Sequence, residues 1–447
     1  MNNVDLLKGN IFKSLNSLAL PIMLSSQIQM AYNLTDMIWI GGLGSDAVAA
    51  IGAAGLYMWL GSGLVIIPRS GGQIKVGHSL GANDMKSARE YALSSKQLLV
   101  FLAAVFGLLS FFFSQGMISF FNLNNIQTLN DASSYLRICG GLIIFSFFGT
   151  YYTGILSSMG NSKISLYVTG IGLGLNIILD PILINGFMFI PGFGVIGAAL
   201  ATVISQFIVY FSFTILIRKN SILNKLSIIN RIDYKRIKEV ILLGLPVALE
   251  SMVFAFISMV IARIVARFGD DGVAVQKVGS QIESISWMIG DGYAVAMNSF
   301  VAQNYGASDY KRIMKGTKIG FGIMTIWGIF TTILLMLFAE PIFNIFIHEK
   351  NVIMMGVDYL KILSVSQLFM CVEIISASCF NGLGNTLPPF IVSFFFTLLR
   401  IPLALYLSGI YGINGIWIAV TVSSILKGII LSISLIIYYK QHVITKV

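Results

Sequence analysis

Long apolar runs broken by short polar joints divide the chain into twelve segments, over 14–41, 48–75, 90–114, 132–156, 163–186, 193–217, 237–267, 273–302, 316–338, 357–382, 388–409 and 414–440. About 20 apolar residues suffice to cross the hydrocarbon of a bilayer. Only helices or closed barrels satisfy their backbone there, and runs this long are helices. The pattern predicts an all-α integral membrane protein with twelve transmembrane helices. Inside the first run, Gln29, Tyr32, Asn33 and Asp36 fall at i, i+3, i+4 and i+7, which lays four polar groups along one helix face. An ionisable group within a span costs roughly 2.5–3.5 kcal/mol on insertion scales, so it usually faces a cavity and has a function. The stripe is either a polar contact with a neighbouring helix or a cation or proton site on the wall of a transport cavity.

Basic residues set the orientation. Nineteen of them gather on alternate joints: Lys8, Lys13, Lys75, Lys86, Arg89, Lys163, seven between 218 and 238, Lys311, Arg312, Lys315, Lys318, Lys440 and Lys446. The other joints show Arg267 and Lys350. Both termini are therefore expected in the cytoplasm.

The two halves repeat. Leu20-Pro21 matches Leu245-Pro246, Gly44-Ser45-Asp46 matches Gly269-Asp270-Asp271, and Gly81 to Asp84 matches Gly306 to Asp309, all at an offset of 225. Met159 to Ser162 matches Leu383 to Thr386 at 224, and Gly194 to Ala198 matches Gly412 to Ile416 at 218. Six helices per copy is an even number, so the copies share topology and are related by a pseudo-twofold axis along the membrane normal. That is the architecture of a rocking transporter. The domains read as an N-lobe over 1–217, a basic cytoplasmic linker over 218–236 and a C-lobe over 237–447. Asp36 corresponds to Ile261, and Glu250 to Ser25, so the carboxylates are additions to single lobes.

Composition narrows the class. The chain is 56% hydrophobic and 11% charged, against about 25% charged in soluble domains. The net charge of +10 reports the inner joints and not a nucleic-acid partner. No cleavable signal is evident, since the first apolar run is too long for one. Cys139, Cys371 and Cys379 lie in apolar helices without metal spacing, so no disulfide framework is expected. No HExxH or other catalytic motif occurs, and no enzyme, nucleic-acid partner or cofactor is expected.

The fifth span supplies a partner for the stripe. Asn176 and Asp180 lie four apart on one face. Asp36 and Asp180 each lie ~8–9 Å below the outer end of their helices, and Thr202 on the sixth lies ~13 Å in, by helical rise. Two facing carboxylates in a poorly solvated site do not readily both ionise without a cation, so the pair can exchange H+ or Na+. Asp36, Asn176, Asp180 and Thr202 are the expected cation-coupling and Na+ ligands. Pro21 and Pro181 are expected to bend their helices. In the C-lobe, Glu373 and Arg400 sit mid-helix in consecutive spans and are expected to pair. Glu250 and Asp291, with Gln29, Tyr32 and Asn33, are the candidate substrate-cavity residues.

With these residues in place the chain resembles the multidrug and toxic compound extrusion (MATE) family, and most closely its DinF-like branch. The motifs carrying the resemblance are Tyr32 to Asp36 running into Gly41-Gly42-Leu43-Gly44, Gly77 to Asp84, Asn176 to Pro181, Gly194 to Thr202, and Gly382 to Thr386. The resemblance implies a V-shaped pair of six-helix lobes and an acidic first-lobe site. It also implies antiport of organic cations or drugs against H+ or Na+. Members of the NorM-like branch carry second-lobe carboxylates on the seventh and tenth helices, from which Glu250 and Glu373 are displaced here. The expectation is a monomeric, multi-pass exporter of the cell membrane for amphiphilic or cationic small molecules, working by alternating access. The alternatives are a flippase or exporter of lipid-linked substrates in the same superfamily, a passive channel, and a membrane-embedded enzyme.

Overall fold

The computed structural model describes residues 3–446 except 122, 124, 188, 189, 221, 225, 227–231 and 348; the side chains of Asn33, Leu34, Ser45, Ile190, Lys219 and Lys446 also lie outside the description. Helices dominate it. The first half of the chain forms α1 (Ile11–Gly41), α2 (Ser45–Gly81), α3 (Met85–Ser119), α4 (Ile126–Tyr135), α5 (Ile144–Ser158), α6 (Ser162–Asn185) and α7 (Gly194–Leu216). The second half forms α8 (Tyr234–Val265), α9 (Asp270–Gly306), α10 (Tyr310–Leu337), the short α11 (Ala339–Asn344), α12 (Lys350–Gly382), α13 (Leu387–Leu398), α14 (Arg400–Tyr411) and α15 (Ile413–His442).

Among the described residues nine helical stretches, with α13 and α14 counted as one, are long and apolar enough to cross a membrane, and the α4–α5 pair, bent by 46°, makes ten. The remaining two of the twelve are α1 and α9, of 31 and 37 residues. Their polar and acidic positions lower their hydropathy, but at about 1.5 Å per residue each is long enough to span. The expected single helix over 132–156 is interrupted. A π turn at Leu136–Gly140 separates α4 from α5, next to a close crossing with α3. A Cβ on Gly140 would lie 2.6 Å from Ser110 Cβ.

The repeat is written in the backbone. Gly44 and Gly269 have φ of 102° and 98°, Asn83 and Ser308 both 56°, Gly160 and Gly384 76° and 79°, and Gly194 and Gly412 54° and 61°. These pairs keep the sequence offsets, so the punctuation of the joints is duplicated. Asp84 caps α3 by accepting from the Ser87 backbone N–H, and Asp309 caps α10 by accepting from Arg312. The drop in offset from 224 to 218 falls where a hairpin sits, with Gly186–Phe187 (β1) paired antiparallel to Ile190–Pro191 (β2). In the second half only Gly412 separates α14 from α15.

The chain divides into two compact units, one of residues 1–4 and 24–248, the other of 5–23 and 249–447. Both boundaries run through the interior of a helix, α1 after Met23 and α8 after Ala248. Inside the first unit, α8 crosses α2 at backbone contact: a Cβ on Gly244 would lie 2.1 Å from the Ile67 carbonyl oxygen, and one on Gly71 2.1 Å from that of Val240. The crossing is held at its inner end by Glu239, which accepts from Lys75 Nζ at 2.7 Å and from the Tyr91 hydroxyl at 2.6 Å. Inside the second unit the segment just before α1 is gripped from α9 and α10. Arg312 donates to the carbonyls of Leu6, Lys8 and Gly9, and Asn304 Nδ2 donates to that of Leu6. Pro21, Pro181 and Pro246 all lie inside uninterrupted helices.

Candidate functional site

The polar face of α1 meets α6 and α7 inside the first unit. The carboxyl groups of Asp36 and Asp180 face one another within interacting distance. One turn before Asp180, Asn176 donates from Nδ2 to Asp180 Oδ1 at 3.1 Å, the i, i+4 contact that their spacing prepares. The Tyr32 hydroxyl lies 3.3 Å from Thr202 Oγ1. Asn176 and Asp180 are wholly buried, and Thr202 is buried. The structure therefore brings Tyr32, Asp36, Asn176, Asp180 and Thr202 into one site, as depth matching predicts. Gln29 is exposed, and the Asn33 side chain lies outside the described residues.

Three buried oxygens of this site, Asp36 Oδ1, Asp180 Oδ2 and Asn176 Oδ1, have no hydrogen-bond partner among the described residues. Leaving such acceptors unsatisfied costs about 1–3 kcal/mol each. All three are hard oxygen donors. A proton or a hard cation with oxygen preference would satisfy them, and the residues present fit a Na+ ion in that sense. Among the described residues no three His, Cys, Asp or Glu side chains gather as a metal site, so the donor set is two carboxylates, one amide and hydroxyls.

Two residues beside the site escaped the sequence reading. Tyr135 ends α4 and Cys139 lies in the π turn. Their side chains lie beside each other, and both lie within electrostatic reach of Asp36. Cys139 also donates from Sγ to the Ala199 carbonyl at 3.7 Å. π turns recur at functional sites, but an apolar run with a central Gly-Gly carries no periodicity that announces one.

The second unit has its own buried polar cluster. Ser393 donates to Glu250 Oε1 at 2.6 Å and lies 3.3 Å from Glu373 Oε1. Glu373 takes an ion pair from Lys427 Nζ at 2.9 Å. This corrects the expected Glu373–Arg400 pair. Arg400 instead donates to Ser423 Oγ at 2.7 Å and Ser424 Oγ at 3.0 Å, with its guanidinium 5.5 Å from the centre of the Phe254 ring. Arg400 opens α14 and Lys427 lies on α15, and α12 packs extensively on α15 and hardly on α13 or α14, so the lysine of α15 reaches the carboxylate first. Glu250 thus belongs to this cluster, while Asp291 is exposed.

Comparison with known proteins agrees with this duplicated plan. The MatE family profile matches twice, over residues 21–182 and 246–406, and the two matches begin at the paired prolines Pro21 and Pro246. The chain is 27% identical over 421 residues to "Probable multidrug resistance protein NorM" of Thermotoga maritima, covering 93% of this chain and 90% of that one. It is 24% identical over 431 residues to the "FAD transporter" of Shewanella oneidensis, covering 95% and 94%. Among solved structures, the outward-facing conformation of a multidrug resistance MATE family transporter of the MOP superfamily superposes with a TM-score of 0.91 at 22% identity, over 99% and 98% of the two chains, which shows a shared fold. With two family matches spanning most of its length, the chain belongs to the MatE family and is a multi-pass transporter of the plasma membrane, not an enzyme.

Proposed function

We propose that the protein is a secondary active multidrug exporter that moves amphiphilic or cationic small molecules outward against H+ or Na+. Coupling runs through Asp36, Asn176, Asp180 and Thr202, with Tyr32 tying the site to α7. The observation that carries this reading is the Asp36–Asp180 contact. Two carboxyl groups this close are accommodated when one of them holds a proton or a cation lies between them. When that proton leaves, two negative charges face each other in a poorly solvated site unless a cation enters. Binding of H+ or Na+ therefore changes the charge and the hydrogen bonding of α1 against α6. An ion that binds one conformational state better than the other shifts the balance between them, and alternating access follows. An anionic, pyrophosphate-bearing amphiphile would call for a basic wall, whereas the first-unit site is acidic.

The test is efflux from proteoliposomes under imposed pH and Na+ gradients, applied separately. Transport driven by either gradient, and sharply lowered in Asp36→Asn, is expected. Downhill flux that ignores both gradients would point to a channel and end the proposal.

A further inference from the structure

The second unit carries an ammonium group where its sister position is apolar. The repeat offsets set Lys427 against Val209, at 218, and Glu373 against Gly149, at 224. In the first unit that pair is a packing contact, since a Cβ on Gly149 would meet Val209 Cγ1 at 3.5 Å. In the second unit the same crossing holds the Lys427–Glu373 ion pair, with the two side chains 7% and 10% exposed.

Around that pair lies a set of oxygens. Ser393 Oγ reaches both Glu250 Oε1 and Glu373 Oε1, but a hydroxyl has a single proton and donates to one carboxylate at a time. Glu250 lies within electrostatic reach of Lys427, Glu373 and Asp291, and Arg400 within reach of Glu373 and Glu283. Two carboxylates bridged by a hydroxyl inside a membrane span form the kind of oxygen-donor set that holds a hard cation. Here one flank is already taken by a compact, tethered point charge with three N–H donors.

The geometry points to Lys427 as a built-in counter-ion that denies the Glu250–Ser393–Glu373 cluster to free Na+, which makes this lysine a determinant of ion specificity. The consequence that any coupling metal ion is confined to Asp36 and Asp180 rests on the proposed function; the exclusion at the second unit does not. Removing Lys427 leaves a buried carboxylate uncompensated, a vacancy that a free cation can fill, and an ion that binds only the folded state raises its stability.

The test uses purified full-length protein in detergent, melted in NaCl and in N-methylglucamine chloride at equal ionic strength. The background is D36N/D180N, which removes the first-unit carboxylates. That background is expected to show no Na+-specific rise in melting temperature and no binding of radioactive Na+. Adding Lys427→Gln is expected to create a saturable Na+-specific rise, and adding Glu373→Gln to that variant is expected to remove it. Recovery of folded K427Q protein only when Na+ is present gives the same support. Na+ binding by the background that Glu373→Gln abolishes would overturn the proposal, and this measurement leaves Lys427 untouched. A folded K427Q variant indifferent to Na+, or one recovered in neither salt, would also overturn it. Whether D36N/D180N loses transport tests the coupling reading separately.

Discussion

Asp36 and Asp180, on α1 and α6, meet carboxyl to carboxyl inside the first unit, with Asn176 holding Asp180 from one turn below. The contact makes the two acids a single titrating device, and their substitutions should not add. Asp36→Asn and Asp180→Asn are each expected to lower gradient-driven efflux by roughly 5- to 150-fold, the range of typical coupling energies. The double variant should be little worse than either single one. Initial rates from proteoliposomes, with protein recovery checked by gel filtration, decide this. Fully additive losses would mean two independent carboxylates.

Tyr32 and Thr202 join α1 to α7 through one hydroxyl contact of 3.3 Å. Tyr32→Phe removes one partner and leaves Thr202 buried without it, at a cost of about 1–3 kcal/mol. Adding Thr202→Val to Tyr32→Phe is expected to restore part of the stability, because no polar group is then stranded. Thermal melts of the three variants in detergent measure the coupling.

Much of this arrangement was legible in the chain. Twelve spans, the duplicated joints and the meeting of Asp36 with Asp180 follow from hydropathy, offset and depth, because each is set by distance along a helix. What distance along a helix does not supply is which helix lies beside which. Glu373 had two basic residues in the spans that follow it, Arg400 and Lys427, and only the packing of α12 on α15 selects between them. The π turn that holds Cys139 likewise sits where α3 approaches closely, and it leaves no mark on the apolar pattern. The boundary between units inside α1 and α8 is also set by packing and not by the polar linker.

The backbone crossing of α2 and α8 should be intolerant of a single methyl. Gly244→Ala and Gly71→Ala each place a Cβ against a carbonyl oxygen that cannot rotate away. Each is expected to cost about 1–3 kcal/mol or more from overpacking. Gly52→Ala on the same helix has open space around it and should stay within about 1 kcal/mol of the parent protein. Melting temperatures compared across the three separate a crossing constraint from a general sensitivity of α2.

The joints offer a gain instead of a loss. Ser308 holds a left-handed φ of 56° that Asn83 holds in the sister joint, and Asn tolerates that region better than Ser. Ser308→Gly is expected to stabilise the protein by up to about 1 kcal/mol, and Asn83→Gly by less. Thermal melts rank the two.

Next to Asn83, the backbone N–H of Ser87 holds the Asp84 carboxyl below the usual carboxylate range. A depressed folded value means this stabilisation is complete above the ordinary carboxylate pKa and is lost as pH falls through the lower one. Asp84→Asn should flatten that part of the acid-melting profile.

The exchanged segments of α1 and α8 impose an order on biosynthesis. The second unit recruits residues 5–23, made first, and the first unit recruits chain up to Ala248. The opening half of α1 must therefore wait in the membrane for α9 and α10 to be inserted. The first unit, in turn, stays incomplete until the first turns of α8 have left the ribosome. Contacts such as Arg312 with the carbonyls of Leu6 and Lys8 close loops of some 300 residues, the slow, long-range kind of closure. A chain cut at the linker would hand each fragment the wrong half of a helix. Each fragment is expected to need the other for its full stability, since the helix half it lacks is the one its own unit packs against.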